Sequence, residues 1–389
     1  MKSGIANIAK VDDCVGTPDD AKLRRSIARN QYRAYTAEHP ISAVKAFESN
    51  DLYNIISAIT ATARTNHLKN RIEPVALFRQ SRNRRWRTSH ITNVGGCILL
   101  SSGFLSLFKR DSDDENSPEQ KLIMTIKRSI LCIQKEEYDK AEQMLHLALR
   151  MAQDLQSKDG ITYVYDLMAN LALEREQFKK AEKLFVDVMK RLFADGFKED
   201  DIKVLHISSK VAHIAQLEGQ IDKALQGFNW TLLKLEEKLK QLPTDEEIRE
   251  LWGLTKNWYG QTLMENQNYL EAKKHLLEAF AVFTEIHGKF NSEALTMLNN
   301  LSVACTYLDD ITEARKFLDE ALEIAKELPD AAETGMLKAN LGLLYLKQGL
   351  LQQAKDACTF AWRFGKKMNH KDIVDQADNC LKLINEFNK

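Results

Sequence analysis

The stretch YDKAEQMLHLA at residues 138–148 sets the pattern of this chain, because it returns five more times before the C-terminus. The later copies begin at Phe178, Ile221, Tyr269, Ile311 and Leu351. Every copy has an alanine three residues after its bulky first residue, and these alanines are Ala141, Ala181, Ala224, Ala272, Ala314 and Ala354. Their spacings of 40, 43, 48, 42 and 40 residues mark an internal repeat.

A second small residue lies twelve positions before each alanine: Ser129, Ala169, Ala212, Gly260, Ser302 and Gly342. Large apolar residues follow the alanines, and they are Leu145, Phe185, Phe228, Leu276 and Leu318. This order of small and large residues is the tetratricopeptide pattern, in which two antiparallel helices approach closely and the next helix fills the groove. The usual repeat has about 34 residues, so these repeats need longer helices or longer connections.

The sequence therefore predicts an all-α, tetratricopeptide-type helical solenoid of about six long repeats over residues 121–389. The polar stretch HKDIVDQADNCLKLINEF at 370–387 reads as a capping helix that covers the last repeat. Six prolines and sixteen glycines among 389 residues are few, which favours helices over β-rich folds.

Charge and cysteine content narrow the classes of function. Basic and acidic residues are equal in number, so no net field favours nucleic acid. The six cysteines contain no C-x-x-C pair, and they predict neither a disulfide framework nor a zinc site. Cys132, Cys305 and Cys358 fall at packing positions, where small buried hydrophobes are expected.

No catalytic motif stands out. The chain lacks a complete phosphate-binding loop, a G-x-S-x-G elbow and an H-E-x-x-H helix, so a hydrolase or peptidase has no support. His206 and His213 share one helical face with Ser209 between them, but two histidines without a third ligand favour groove residues over a metal site. We expect no enzyme activity, no cofactor, no metal and no small-molecule substrate.

Polar and aromatic residues on the first helix of each repeat are the candidates for binding a partner, because a solenoid uses its concave surface for that purpose. Repeat register selects Tyr163, Asp166, Asn170, His206, His213, Asn257, Gln261, Asn299 and Tyr307. No cluster of Arg or Lys is evident along this groove.

The N-terminal residues differ in composition from the repeats. Residues 52–90 hold eight basic residues and one acid, Glu73, as mitochondrial transit peptides do; a disordered basic linker is the alternative. Residues 1–51 contain acids and read as a disordered extension without a defined role.

Residues 91–108, ITNVGGCILLSSGFLSLF, carry no charge and would form a helix of roughly 27 Å, close to the bilayer core of about 30 Å. We expect a transmembrane helix rather than a soluble core helix, followed by an acidic linker at 109–120. The basic side precedes the span, so the positive-inside rule predicts the N-terminus in the matrix and the repeats in the intermembrane space.

The segments ITYVYDLMANLALEREQFKKAEKLF at 161–185 and EEYDKAEQMLHLALRMAQ before it resemble the family of mitochondrial tetratricopeptide repeat protein nineteen. The resemblance covers roughly residues 119–385. It implies a non-enzymatic inner-membrane protein that associates with respiratory complex III and supports its assembly and integrity. It also implies a role in incorporating the Rieske iron–sulfur subunit and clearing its fragments. A soluble tetratricopeptide scaffold, or a chaperone or cargo adaptor without a membrane anchor, is the alternative.

Overall fold

The computed structural model describes residues 117–328 and 333–387, and all regular structure in these ranges is α-helical. We number the helices in chain order. They are α1 Pro118–Gln134, α2 Tyr138–Asp154, α3 Lys158–Glu174, α4 Phe178–Ala194, α5 Ile202–Leu217, α6 Ile221–Gln241, α7 Glu246–Glu265, α8 Tyr269–His287, α9 Ser292–Tyr307, α10 Ile311–Glu327, α11 Glu333–Lys347, α12 Leu351–Lys367 and α13 Lys371–Phe387.

The helices form six antiparallel pairs, α1/α2 to α11/α12, with α13 after the last pair, and each helix packs on its neighbours along the chain. This confirms the predicted tetratricopeptide-type solenoid and its six repeats. Odd-numbered helices from α1 to α11 are the first helices of the repeats, and even-numbered helices are the second.

Small residues decide how closely each pair approaches. All six repeat alanines, from Ala141 to Ala354, are fully buried, as the pattern predicts. A Cβ atom added at Gly260 would lie 2.8 Å from Cγ of Leu276, and one added at Gly342 would overlap the sulfur of Cys358. The large residues Phe185 and Phe228 are fully buried, and each packs against buried alanines of its own repeat.

The longest helices of the repeats lie in the middle of the chain. Helices α6, α7 and α8 have 21, 20 and 19 residues, whereas the other described helices have 15 to 17. The longest spacing between repeat alanines, 48 residues, therefore arises from longer helices around the connection between α6 and α7.

The turns between helices explain why so few glycines suffice. Most tight turns place one residue in the left-handed region, and Glu136, Glu176 and Asp309 hold φ values of 58°, 57° and 60° there. The chain then returns its N–H groups to the preceding helix, as in the bond from Glu137 N to Cys132 O at 2.9 Å.

The first helix begins at Pro118, with the Ser117 side chain accepting a hydrogen bond from Gln120 N. Residues 118–120, which were expected to belong to the acidic linker at 109–120, are therefore helical, because Ser117 followed by proline is an efficient helix start. Residues 109–116 lie outside the described residues, so the linker stays a prediction. The predicted segments 1–51, 52–90 and 91–108 lie outside the described residues. Among the helices that the structure describes, none has the length and apolar content needed to cross a bilayer.

The expectation that the cysteines form no disulfide is wrong for one pair. Cys358 on α12 and Cys380 on α13 are joined by a disulfide across 22 residues of sequence. A separation of 22 residues matches no known cysteine motif, because the two cysteines meet only where the antiparallel helices α12 and α13 face each other. Cys305 is a buried free thiol, as expected, and Cys132 is a half-buried one.

Candidate functional site: the inner face of the first helices

The predicted binding residues lie where alternate helices meet. Hydrogen bonds pass directly between α3 and α5, between α5 and α7, and from α9 through α11 to α13. We call this side of the solenoid, formed by the odd-numbered helices, the inner face. Its polar side chains form three groups that join first helices: one charged, one built around His213 and one of neutral amides. A separate pair of amides lies within α7.

The first group joins α3 to α5. Lys210 Nζ donates to Asn170 Oδ1 at 2.7 Å, and Asn170 Nδ2 donates to Asp166 Oδ2 at 3.2 Å. Burial raises the pKa of Asp166, while the charge of Lys210 and the hydrogen bond from Asn170 oppose that rise. Burial also raises the pKa of Tyr163, helped by the nearby Asp166 carboxylate. The result is a buried charged link between two repeats.

Two histidines of α5 follow in the same register. His206 is buried, and its Nδ1 accepts or donates no hydrogen bond within the described residues. Burial, together with the charge of Lys210, holds the pKa of His206 well below its usual value. His206 is therefore a neutral packing residue at neutral pH.

His213 has a more complete set of contacts. Its ring stacks on Trp258 of α7 at 4.3 Å with an interplanar angle of 6°, and its Nδ1 lies 3.0 Å from Gln216 Oε1. Burial lowers the pKa of His213 to about 4, against the effect of the Gln216 hydrogen bond. Gln216 Nε2 in turn donates to Glu265 Oε1 at 2.9 Å, which extends the link to the end of α7.

Asn257 and Gln261 form a smaller group on α7. Gln261 Nε2 donates to Asn257 Oδ1 at 3.3 Å, and both side chains are half-buried. This pair lies within one helix, so its amides are not used to join repeats.

The third group is a row of neutral amides. Asn340 Nδ2 of α11 donates to Asn299 Oδ1 of α9 at 2.7 Å, and Gln376 Nε2 of α13 donates to Asn340 Oδ1 at 2.6 Å. Gln376 Oε1 is buried and accepts no hydrogen bond from the described residues. We call Asn299, Asn340 and Gln376 the amide row.

The last predicted residue, Tyr307, packs against the hydrophobic core. Its ring stacks on Tyr269 at 4.4 Å with an interplanar angle of 3°, and both rings pack against the buried cluster around α8 to α11. Burial raises the pKa of Tyr307.

Repeat register therefore selected a mixed set of residues. Five of them interact with another repeat: Asp166, Asn170, His213, Asn299 and Tyr307. Tyr163, Asp166, His206, His213 and Asn299 are buried, whereas Asn170, Asn257, Gln261 and Tyr307 are half-buried. A role of any of them in binding a partner stays a prediction.

Six residues of these groups were missed by sequence reasoning: Lys210, Gln216, Trp258, Glu265, Asn340 and Gln376. One of them carried a usable signal, since Asn340 follows Asn299 by 41 residues, close to the repeat period. Lys210 carried none, because a lysine on a helix ordinarily lies in solvent.

Comparison with known proteins agrees with this architecture. The family model described as Tetratricopeptide repeat matches residues 253–327 and 293–357, which extend from α7 to α12. A solved structure from Pyrococcus horikoshii, a signal transduction ATPase with a tetratricopeptide repeat sensor, aligns with a TM-score of 0.50. It is 15% identical, and the match covers 74% of this chain and 43% of that one, so it supports the fold alone. The class is thus a tetratricopeptide repeat protein.

Curated relatives narrow the class. A Drosophila melanogaster protein named Tetratricopeptide repeat protein 19 homolog, mitochondrial, is 59% identical over 280 residues, covering 72% of this chain and 76% of the fly protein. The chain therefore belongs to the mitochondrial tetratricopeptide repeat protein 19 family.

More distant relatives match over shorter parts. The rat protein Tetratricopeptide repeat protein 19, mitochondrial, is 31% identical over 57% of this chain and 65% of its own length. The human protein of the same name is 32% identical, and the match covers 49% of this chain and 53% of the human protein. Much of these mammalian proteins therefore lies outside the match. The names of these relatives assign the chain to the mitochondrion.

Proposed function

We propose that this chain is a non-enzymatic adaptor of the inner mitochondrial membrane that binds respiratory complex III and supports its assembly and integrity. The proposal includes incorporation of the Rieske iron–sulfur subunit and turnover of its fragments. The partner and these tasks rest on the family resemblance; the mode of binding rests on the inner face.

The amide row is the observation that carries the binding role. A side-chain amide offers two N–H donors and a carbonyl acceptor, the same groups that a polypeptide backbone presents in extended form. Asn299, Asn340 and Gln376 use part of this capacity on each other. The Gln376 side chain is half-buried and its buried Oε1 has no donor among the described residues, so a rotation of this side chain would present the acceptor to another chain. An extended protein segment lying across α9, α11 and α13 would complete these hydrogen bonds without bringing charge into the groove.

The proposed membrane topology uses the N-terminal segments. Residues 1–51 precede the transit-peptide-like residues 52–90, residues 91–108 form the transmembrane helix, and a linker leads from residue 109 to the repeats. Positive charge before the span favours the N-terminus in the matrix and the repeats in the intermembrane space.

The disulfide between Cys358 and Cys380 supports the same orientation. Disulfides persist where thiols are not continuously reduced, and they are rare in reducing compartments. A repeat domain on the matrix side would place this disulfide where thiols are kept reduced. Degradation of the repeats by protease in mitoplasts with a ruptured outer membrane is the expected result, and full protection would overturn the orientation.

Affinity purification of the full chain from detergent-solubilised mitochondria tests the partner. We expect complex III subunits, including the Rieske protein, to elute with the chain. An eluate that contains the chain but no complex III subunits would overturn the proposed function. Extraction of the chain by alkaline carbonate would instead favour the alternative of a soluble tetratricopeptide scaffold or cargo adaptor.

The binding mode is tested with Gln376→Met, which keeps the shape of the side chain and removes its amide. We expect less complex III in the eluate, because the variant cannot offer the Oε1 acceptor. Gln352→Met is the matched control, since Gln352 is exposed on α12 and bonds only to Asp356 of the same helix. Equal recovery from both variants would remove the amide row from the binding site.

A further inference from the structure

The second helix of the last repeat has an unusual outer face. The segment TFAWRFGKKM at 359–368 contains three aromatic and three basic residues and no acid. On the surface of α12 these residues combine with Lys355 and with Lys338 of α11. We call the following set the C-terminal basic face: Lys338, Lys355, Phe360, Trp362, Arg363, Lys366 and Lys367.

Three lysines at the start of second helices in earlier repeats have acidic partners in a neighbouring repeat. Lys180 Nζ lies 2.6 Å from Glu142, Lys223 Nζ lies 2.7 Å from Glu182, and Lys273 is paired with Glu313. This series of ion pairs ends before α12. Lys355, Arg363, Lys366 and Lys367 are exposed, and none of them has a carboxylate within ion-pair distance in the part of the chain that the structure describes.

The only acid on α12 does not compensate these charges. Asp356 accepts a hydrogen bond from Gln352 at 2.9 Å, one turn earlier on the same helix. Four basic side chains therefore share this helix with a single carboxylate. The face therefore carries an excess of basic over acidic side chains.

Aromatic side chains lie among these charges. Phe360 is 46% exposed, and Lys338 Nζ lies 5.7 Å from the centre of its ring. Lys366 Nζ lies 5.3 Å from the Trp362 ring, and Met368 at the helix end is also exposed. Large apolar groups are thus held at the surface beside cations, although their burial would be favourable.

We propose that the C-terminal basic face docks on a membrane surface that carries anionic lipid headgroups. Lysine and arginine at such a surface are attracted by phosphates, and aromatic rings insert at the level of the headgroups. Most of the face belongs to α12, and its exposed cations beside exposed and partly exposed rings match the negative charge and the apolar boundary of a lipid surface, which favours such a surface over a protein segment. This inference rests on the membrane location proposed above, since the anchor would bring the repeat domain to the bilayer.

Lysine reactivity in reconstituted full-length chain tests the docking. The chain is placed in nanodiscs of phosphatidylcholine alone, or of phosphatidylcholine with a minor fraction of cardiolipin, and acylation of each lysine is followed by mass spectrometry. We expect several-fold slower labelling of Lys355, Lys366 and Lys367 in the anionic nanodiscs. The exposed Lys179 and Lys183 of α4 serve as internal controls and should react at the same rate in both.

Two further arms make the result specific. Arg363→Glu should reduce the lipid-dependent protection of the neighbouring lysines, whereas Lys183→Glu, which changes the charge equally on another helix, should not. High salt should weaken the protection, because exposed charges are screened.

The outcomes separate this proposal from the anchor. Flotation of the full chain with neutral vesicles tests membrane insertion of the anchor alone, because these vesicles lack the anionic headgroups proposed to bind the C-terminal basic face. A chain that floats but shows equal labelling in both nanodiscs would overturn lipid docking while leaving the anchor intact. Protection of the same lysines only after complex III is added would also overturn it, in favour of an acidic protein surface.

Discussion

Between α3 and α7 the first helices are joined by charged and ring-bearing side chains, whereas between α9 and α13 they are joined by neutral amides. Lys210 with Asp166, and His213 on Trp258, represent the first region. Asn299, Asn340 and Gln376 represent the second. The same repeat pattern thus accommodates two kinds of polar junction.

The difference between these junctions lies in what burial costs. A buried charge is stable only with its partner, so the first region depends on complete pairs. Amides lose less on burial and keep spare donors and acceptors. The charged junctions therefore suit a fixed internal link, and the amide row suits a surface that exchanges hydrogen bonds with another chain.

The largest effect should come from breaking the charged junction. Lys210→Met is expected to lower the free energy of unfolding by about 3–5 kcal/mol, because it removes the positive charge that stabilises the buried Asp166 carboxylate and the donor to Asn170 Oδ1. Urea denaturation followed by circular dichroism measures this. A loss below about 1 kcal/mol, similar to that of a surface ion pair, would show that the junction carries no such dependence.

Reduction of the disulfide should mainly affect the other end of the solenoid. Opening the bond between Cys358 and Cys380 is expected to cost about 3 kcal/mol, because the 22-residue loop gains freedom when unfolded. Hydrogen exchange should increase in α13 and change little in α3 to α5. Hydrogen exchange of the Cys380→Ala variant should be the same with and without reductant. An increase in exchange that is uniform along the whole chain after reduction would contradict a local role of the disulfide.

The pH dependence should differ between the regions because only the first contains buried histidines of lowered pKa. The folded state resists protonation of His213, whose pKa is about 4 instead of 6.5. The unfolded chain therefore binds more protons in this window, and the histidine's contribution, at most about 3 kcal/mol, is present above pH 6.5 and is lost as the pH falls to 4.

His213→Phe keeps a ring against Trp258 and removes the titration. The slope of unfolding free energy against pH between 4 and 6.5 should become shallower, as measured by denaturant titration at several pH values. His146→Gln is the control for loss of an exposed histidine. An unchanged slope in the His213 variant would show that this ring does not govern the acid sensitivity.

The smallest effect is expected at the amide row. Asn340→Leu should cost about 1–3 kcal/mol, since it leaves the amides of Asn299 and Gln376 without their shared partner. Gln352→Leu, on the exposed side of α12, should be nearly neutral. If Asn340→Leu destabilised the protein as much as Lys210→Met, the distinction between charged and neutral junctions would fail.

The fold could be predicted from the sequence more completely than the contacts at the junctions between first helices. Ala141 and its five equivalents, with Phe185 and Phe228 behind them, were predictable because packing two helices in register demands small and large residues at set intervals. The inner-face residues were found by the same register. Their actual contacts were not, because Asp166 and Lys210 are 44 residues apart and meet only when α3 and α5 stand side by side.

The sequence by itself determined the repeat, the number of helix pairs and the capping helix, since these follow from local periodicity, and the specific segment at 161–185 carried the resemblance to a mitochondrial repeat family. Tertiary structure alone decided which polar side chains are buried in pairs, which amides form a row, and that Cys358 meets Cys380. The physical reason is that period and propensity act within a helix, whereas partners are chosen by the distance between helices far apart in the chain.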